Sequence, residues 1–191
     1  MRALLTCALL ATTSLLPGCA NPVNKITMDE YTDQCIAAEN SGRFNVAIEA
    51  CRRAWINSRI GNLGGELESR TLYNYGRVAR KAMKLDDAET ALKRSLELEE
   101  SISGVSSEKV GRRLAELALT KIIQRKSVDG VSYVERLVPI AGTFAGPERK
   151  VVCGVLFGYT EDFRSSNLVE KSAEFDVAAK ALSCSRADFK N

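Results

Sequence analysis

The sequence predicts an all-α fold, a stack of helix-turn-helix hairpins, and three observations support that reading. Leu72–Leu98, LYNYGRVARKAMKLDDAETALKRSLEL, holds two runs of apolar and small residues at spacings of three and four, split by a short polar turn. Flanking segments repeat the pattern at shifts of 41 (88 − 47) and 42 (114 − 72) residues. The chain has only four prolines and little strand-like alternation. One such hairpin leaves an apolar face bare, so the copies must pack on one another.

The amino terminus reads as an export signal. Met1-Arg2 is a short positive region, and Ala3–Leu16 is apolar but too short for a comfortable membrane span. It ends in Leu16-Pro17-Gly18-Cys19, which resembles the lipobox of bacterial lipoproteins. That resemblance implies cleavage before Cys19 and acyl chains on Cys19. Because Ala20, not Asp, follows, it also implies sorting to the outer membrane, lipid-anchored and facing the periplasm. Several acyl chains anchor a protein stably, at about 0.8 kcal/mol per buried methylene. The competing reading is ordinary secretory cleavage after Ala20, releasing a soluble periplasmic product. The expected organisation is a signal over 1–18, the lipidated cysteine and a polar tether over 19–30, a repeat domain over 31–182 and a tail over 183–191.

The first hairpin turns at Gly42-Arg43 and continues through Ala47, Ile48, Cys51 and Ala54. Cys7 leaves with the signal and Cys19 is taken by lipid, so Cys35, Cys51, Cys153 and Cys184 remain for an oxidising compartment. Three pairings are open. Cys35 and Cys51 stand level on either side of the turn, which favours a Cys35–Cys51 bridge worth roughly 3 kcal/mol in the chain-entropy model. Cys153–Cys184 follows by elimination. The other reading of Cys35 and Cys51 is two small core residues.

In the second hairpin, Leu72, Tyr75, Gly76, Ala79 and Met83 share one face, as do Ala88, Ala91, Leu92, Ser95 and Leu98. Gly76, Ala79 and Ala88 allow close approach of the two backbones. Asp86 is expected to cap the second helix, with Glu89 completing a capping box. In the third hairpin, Leu114, Leu117 and Ala118 start the pattern again, and a second helix over about Asp129–Val138 stops at Pro139.

The order Leu72-x-x-Tyr75-Gly76-x-x-Ala79, Ala88, Leu92, Ser95 resembles the tetratricopeptide pattern. The run NYGRVARKAMKLDDAETALKRSLELEES is most similar to kinesin light chain repeats, which have about 42 residues. The resemblance covers Tyr31 to about Val138. Tyr31 stands where Trp is usual, Cys35 where Gly is usual, and Gly130 where Ala is expected. It implies a tetratricopeptide-like α-solenoid whose first helices line a peptide-binding groove. Carried over by position, the groove-facing residues are Thr32, Asp33, Ile36 and Glu39, then Arg70, Tyr73, Asn74, Arg77, Arg80 and Lys81. The second set is a basic ridge with one aromatic and one amide, suited to an acidic segment or a carboxyl terminus. A solvated helix face is the alternative.

Further on, Pro147 and Glu148 suit a first helical turn. Val151–Tyr159 is nearly all apolar and is expected as a buried helix with a flat Gly154/Gly158 face. Asn167–Leu182 is expected as a final helix capping the stack, with Leu168, Phe175, Ala179 and Leu182 on one stripe.

The chain has no histidine, which removes Ser-His-Asp and Cys-His catalysis and His-ligated zinc. No CxxC pair, phosphate loop, nucleophile elbow or S-x-x-K occurs, so no metal, cofactor or catalytic residue is expected. A net charge of +3 with interspersed signs does not point to nucleic acid. The expected function is a membrane-anchored adaptor or scaffold of the cell envelope, binding a protein or peptide partner. An assembly factor for an outer-membrane pore or pilus is the alternative, and an envelope-acting enzyme the weakest.

Overall fold

The structure, a computed structural model, describes residues 20–185. Eight α-helices occupy this span: α1 Pro22–Asn40, α2 Phe44–Ile60, α3 Gly65–Lys81, α4 Leu85–Ser103, α5 Glu108–Ile123, α6 Val131–Leu137, α7 Gly146–Ser165 and α8 Val169–Ala181. A 3-10 turn at Ser127–Gly130 leads into α6, and another at Ala141–Thr143 follows it. Helices pack in consecutive pairs, α1 on α2, α3 on α4, α5 on α6 and α7 on α8, with α2 on α3 and α4 on α5 joining the pairs. The described residues form no strand, and none of their helices is long and apolar enough to cross a membrane.

Each hairpin turns the same way. The linking residue takes a left-handed conformation at Gly42 (φ 70°), Met83 (φ 60°), Arg125 (φ 60°) and Asn167 (φ 63°). The next amide then donates back five residues, from Arg43 to Ala38, Lys84 to Ala79, Lys126 to Lys121 and Leu168 to Phe163, all at 2.9 Å. This is the Schellman closure, which satisfies carbonyls left open at the helix end. The turn spacings are 41 (83 − 42), 42 (125 − 83) and 42 (167 − 125), so the repeat continues through α7 and α8 as a fourth hairpin.

The same register governs the interior. Each hairpin buries a pair of residues 16 apart: Cys35–Cys51, Gly76–Leu92, Ala118–Val134 and Tyr159–Phe175. The first pair is a disulfide with Cα atoms 5.1 Å apart. In the second, a Cβ on Gly76 would lie 2.6 Å from Leu92 Cγ, so only glycine permits this approach. The fourth is an edge-on ring contact, centroids 5.9 Å apart, joined by Phe163. The departure at Cys35 therefore substitutes a covalent link for a glycine–leucine contact.

Gly130 has a comparable explanation. A Cβ there would meet the Tyr159 hydroxyl at 1.9 Å and Lys121 Cβ at 2.8 Å. Tyr159 fills the space that an alanine would take, and its hydroxyl donates to the Ala118 carbonyl at 3.3 Å. The second bridge, Cys153–Cys184, has a Cα separation of 5.5 Å and ties the chain just beyond α8 back to α7.

Several expectations are corrected. Residues 22–30 are not a tether but the first turns of α1: Pro22 occupies an opening helical position, the Asn21 side chain accepts from the Val23 amide, and Met28 is fully buried. Asp86 does not cap α4. The helix starts one residue earlier at Leu85 with Lys84 before it and no side-chain cap, and Asp86 sits in the first turn, favourable beside the positive helix end. Met83 leaves the buried face because it supplies the left-handed turn, and it is 63% exposed. Leu168 likewise lies outside α8 and is exposed, since Asn167 before it is the turn residue. Cys19 and the signal expected over 1–18 lie outside the described residues, as do 186–191 of the tail.

Candidate functional site

The first helices of successive hairpins, α1, α3, α5 and α7, face one another through charged side chains. Glu39 on α1 accepts from Arg77 and from Lys81 (2.6 Å) on α3. Arg80 on α3 donates to Glu116 on α5 at 2.7 Å. Arg112 on α5 pairs with Glu148 on α7 at 3.1 Å, and with Glu108 on its own helix. Burial raises the Glu39 pKa, but Lys81 and Arg77 outweigh it and hold the carboxyl below its ordinary range.

This arrangement divides the six ridge residues. Arg77, Arg80 and Lys81 are held by carboxylates of neighbouring first helices, Glu39 and Glu116, each only 7% exposed at the side chain. Arg77 and Arg80 hold the stack together, and reversing them strands a buried carboxylate. Arg70 and Asn74, by contrast, have no ion-pair or hydrogen-bond partner among the described residues. Tyr73 lies between the two sets, its ring centroid 5.9 Å from the Arg77 guanidinium and 5.1 Å from that of Arg113.

Arg70, Tyr73 and Asn74 line a cavity of about 240 Å³ with Lys109, Arg112, Arg113, Glu66 and Glu99. Four cations and two carboxylates line it, and Arg112 brings two more carboxylates beside it, Glu108 and Glu148. Lys109 reaches Glu66 at 3.1 Å across the mouth, both well exposed. Arg112 Nε is buried without a hydrogen-bond partner. Burial pushes the Tyr73 phenol up to about 12, with the Glu116 carboxylate adding to the rise, so the hydroxyl stays protonated as a donor. Tyr73 and Arg112 also join Ala115, Phe144, Val151 and Val152 in a smaller crevice of about 40 Å³, which Glu116 and Glu148 line as well.

The cavity floor is a buried polar cluster. Arg113 donates to Ser95 Oγ (2.7 Å), Ser69 Oγ (2.8 Å) and the Lys109 carbonyl (2.7 Å), and pairs with Glu99 at 2.8 Å. Glu99 also accepts from Ser69 (2.9 Å) and Ser103 (2.6 Å). Burial raises the Glu99 pKa, while the Ser103 hydroxyl, Arg113 and Ser69 bring it below the ordinary carboxylate value. The cluster joins α3, α4 and α5 and fixes where the cavity wall stands.

Of the residues lining this cavity, sequence reasoning names Arg70, Tyr73 and Asn74 on α3 and does not name Lys109 and Arg112. These lie at shifts of 43 (109 − 66) from Glu66 and 42 (112 − 70) from Arg70, so the repeat register itself was the usable signal. Thr32 and Asp33 on α1 are outside this cavity. Among the described residues no three His, Cys, Asp or Glu side chains converge as metal ligands.

No protein-family model and no curated protein matches the chain. Solved structures do resemble it. BtubC (BKLC) from P. vanneervenii superposes with a TM-score of 0.70 at 16% identity, over 84% of this chain and 64% of BtubC. The chain therefore spans just under two thirds of the length of BtubC. The nearly identical TPR-like repeats of a kinesin light chain protein from Podosopora anserina superpose with a TM-score of 0.63 at 12% identity, over 82% of this chain and 74% of that one. Both likenesses bear on the fold: four stacked hairpins of tetratricopeptide type.

Proposed function

We propose that the chain is a protein-interaction scaffold of the bacterial cell envelope, anchored by acyl chains on Cys19 and binding an acidic segment of a partner in the groove of the stack. The observation that carries the binding reading is the cavity at the opening turns of α3 and α5. There Arg70 is unengaged, and Arg112, although paired with Glu108 and Glu148, keeps a buried Nε without a hydrogen-bond partner. A carboxylate entering this space gains charge-assisted hydrogen bonds from Arg70 and Lys109 and exchanges Glu66 for a ligand. Asn74 offers an amide to a peptide backbone.

The test is affinity capture from a native envelope extract with the wild-type chain and with Arg70→Glu/Lys109→Glu. Both side chains are exposed, so the variant keeps its fold. A partner held by the wild type and lost by the variant supports the reading, and one held equally by both refutes the site. The anchor is tested separately by the mass of the amino-terminal peptide of the mature protein. An acylated Cys19 supports it, and a chain beginning at Asn21 contradicts it.

A further inference from the structure

We propose that the edge of the first hairpin where α1 opens and α2 ends rests directly on the bilayer, with Val23, Ile26 and Ile60 seated at the boundary of headgroups and acyl chains. This rests on the reading of Cys19 as the lipidated residue and adds to it a contact made by the folded body. Val23, Ile26 and Ile60 are 68%, 61% and 68% exposed, three aliphatic side chains presented to water at that edge. They are held together there. The Asn21 amide donates to the Gly61 carbonyl at 3.0 Å, and Asn24 Nδ2 donates to Asn57 Oδ1 at 3.1 Å, fixing the first turn of α1 against the last turn of α2. Val23 and Ile26, three residues apart, share the side of α1 turned away from the fully buried Met28.

The length of the connecting chain selects the occupant. Only Ala20 and Asn21 separate Cys19 from Pro22, and an extended chain spans at most about 3.6 Å per residue. A lipid on Cys19 therefore holds the opening of α1 within about 11 Å of the acylated residue. A reach of that length keeps the exposed aliphatic residues of the first turn near the level where headgroups meet acyl chains. With Asn21 tied to Gly61, Ala20 is the one residue between Cys19 and the fixed first turn of α1. Two cations flank the aliphatic residues. Lys25, paired with Asp29, lies between Val23 and Ile26 in sequence, and Arg59, over the Trp55 ring at 5.2 Å, precedes Ile60. Both suit anionic headgroups.

The chain has one tryptophan, so Trp55→Phe gives a background free of that fluorophore. Into it go Ile26→Trp or, as control, Val46→Trp, which lies at the opposite end of α2 and is 54% exposed. The acylated full-length proteins are placed in vesicles of phosphatidylethanolamine and phosphatidylglycerol carrying brominated acyl chains. Emission from position 26 falls at least twofold relative to unbrominated vesicles, and emission from position 46 does not change. Equal quenching at both positions, or none at 26 while the mass of the amino-terminal peptide shows acylated Cys19, overturns the bilayer contact and leaves the anchor standing. A peptide mass without acyl chains overturns the anchor and the contact with it. Sedimentation of the unacylated chain supplies the remaining arm. A dimer dissociated by Val23→Glu/Ile26→Glu assigns the face to a second copy and overturns the proposal, and a monomer agrees with it.

Discussion

Replacing Arg113 with Met tests how the groove is held in shape. Arg113 and Glu99 are 5% and 2% exposed at their side chains and lie 2.8 Å apart. Met keeps the aliphatic bulk but removes three hydrogen bonds, to Ser95, Ser69 and the Lys109 carbonyl, along with the ion pair. Glu99 is then left buried with the Ser69 and Ser103 hydroxyls and with Lys109 Nζ at 3.9 Å, which is half exposed and cannot replace the lost charge. Removing one partner of a buried pair costs about 3–5 kcal/mol, whereas removing both in favour of packed apolar groups is close to neutral. Arg113→Met is therefore expected to lose about 3 kcal/mol or more, and Arg113→Met/Glu99→Met to recover most of it. Urea unfolding followed by far-ultraviolet circular dichroism measures both, read as a shift in midpoint at constant slope. A single variant losing under about 1 kcal/mol, or a double variant no better than the single, refutes the reasoning.

Three further outcomes follow from the same packing. Gly130→Ala puts a methyl where the Tyr159 hydroxyl sits and is expected to cost about 1–3 kcal/mol, whereas Gly130→Ala/Tyr159→Phe recovers part of that loss; a neutral Gly130→Ala would contradict the fit. Reducing Cys35–Cys51 and Cys153–Cys184 lowers the melting temperature, the shorter loop being worth about 3 kcal/mol and the longer about 4 kcal/mol in the chain-entropy model, and an unchanged melting temperature in excess reductant would argue against both bridges. Glu89 accepts from Lys121 at 2.8 Å and from Lys93 and Gln124; burial raises its pKa, but these donors bring it down to about 2. Its folded value lies below the unfolded one, so its stabilisation is complete above about pH 4.5 and is lost as pH falls toward 2. The urea midpoint of wild type should drop across that window more steeply than that of Glu89→Gln, and parallel profiles would refute the assignment.

The hairpins were legible because their signal is local. Small and apolar residues at three- and four-residue spacing from Leu72 to Leu98 fix which faces meet, and the 41- and 42-residue shifts carry that register to the neighbours. The Cys35–Cys51 pairing could be read for the same reason, since both residues sit level across one short turn. The left-handed turns at Met83, Arg125 and Asn167 were hidden because none of these residues is glycine, and Met83 reads as one more apolar position. The fourth hairpin was obscured by its own burial. Val152, Val155, Leu156, Tyr159 and Phe163 are all buried in α7, so its apolar run loses helical periodicity. The ridge was misjudged in part because charge pairing across a solenoid is not local. Arg77 and Arg80 read as free until Glu39 and Glu116, 38 and 36 residues away, are placed beside them.

The central claim, that the cavity at Arg70 and Lys109 receives an acidic segment of another protein, is tested most directly by site-specific photocrosslinking. A benzophenone amino acid replaces Asn74 in the acylated chain, and in a control replaces Arg94, an exposed residue of α4 that does not line this cavity. Irradiation in native envelopes is followed by mass identification of the crosslinked peptide. The expected result is an adduct from position 74 to a segment carrying Asp or Glu, absent from position 94 and abolished by Arg70→Glu/Lys109→Glu. Adducts of equal yield from both positions, or a crosslinked segment without carboxylates, would contradict it.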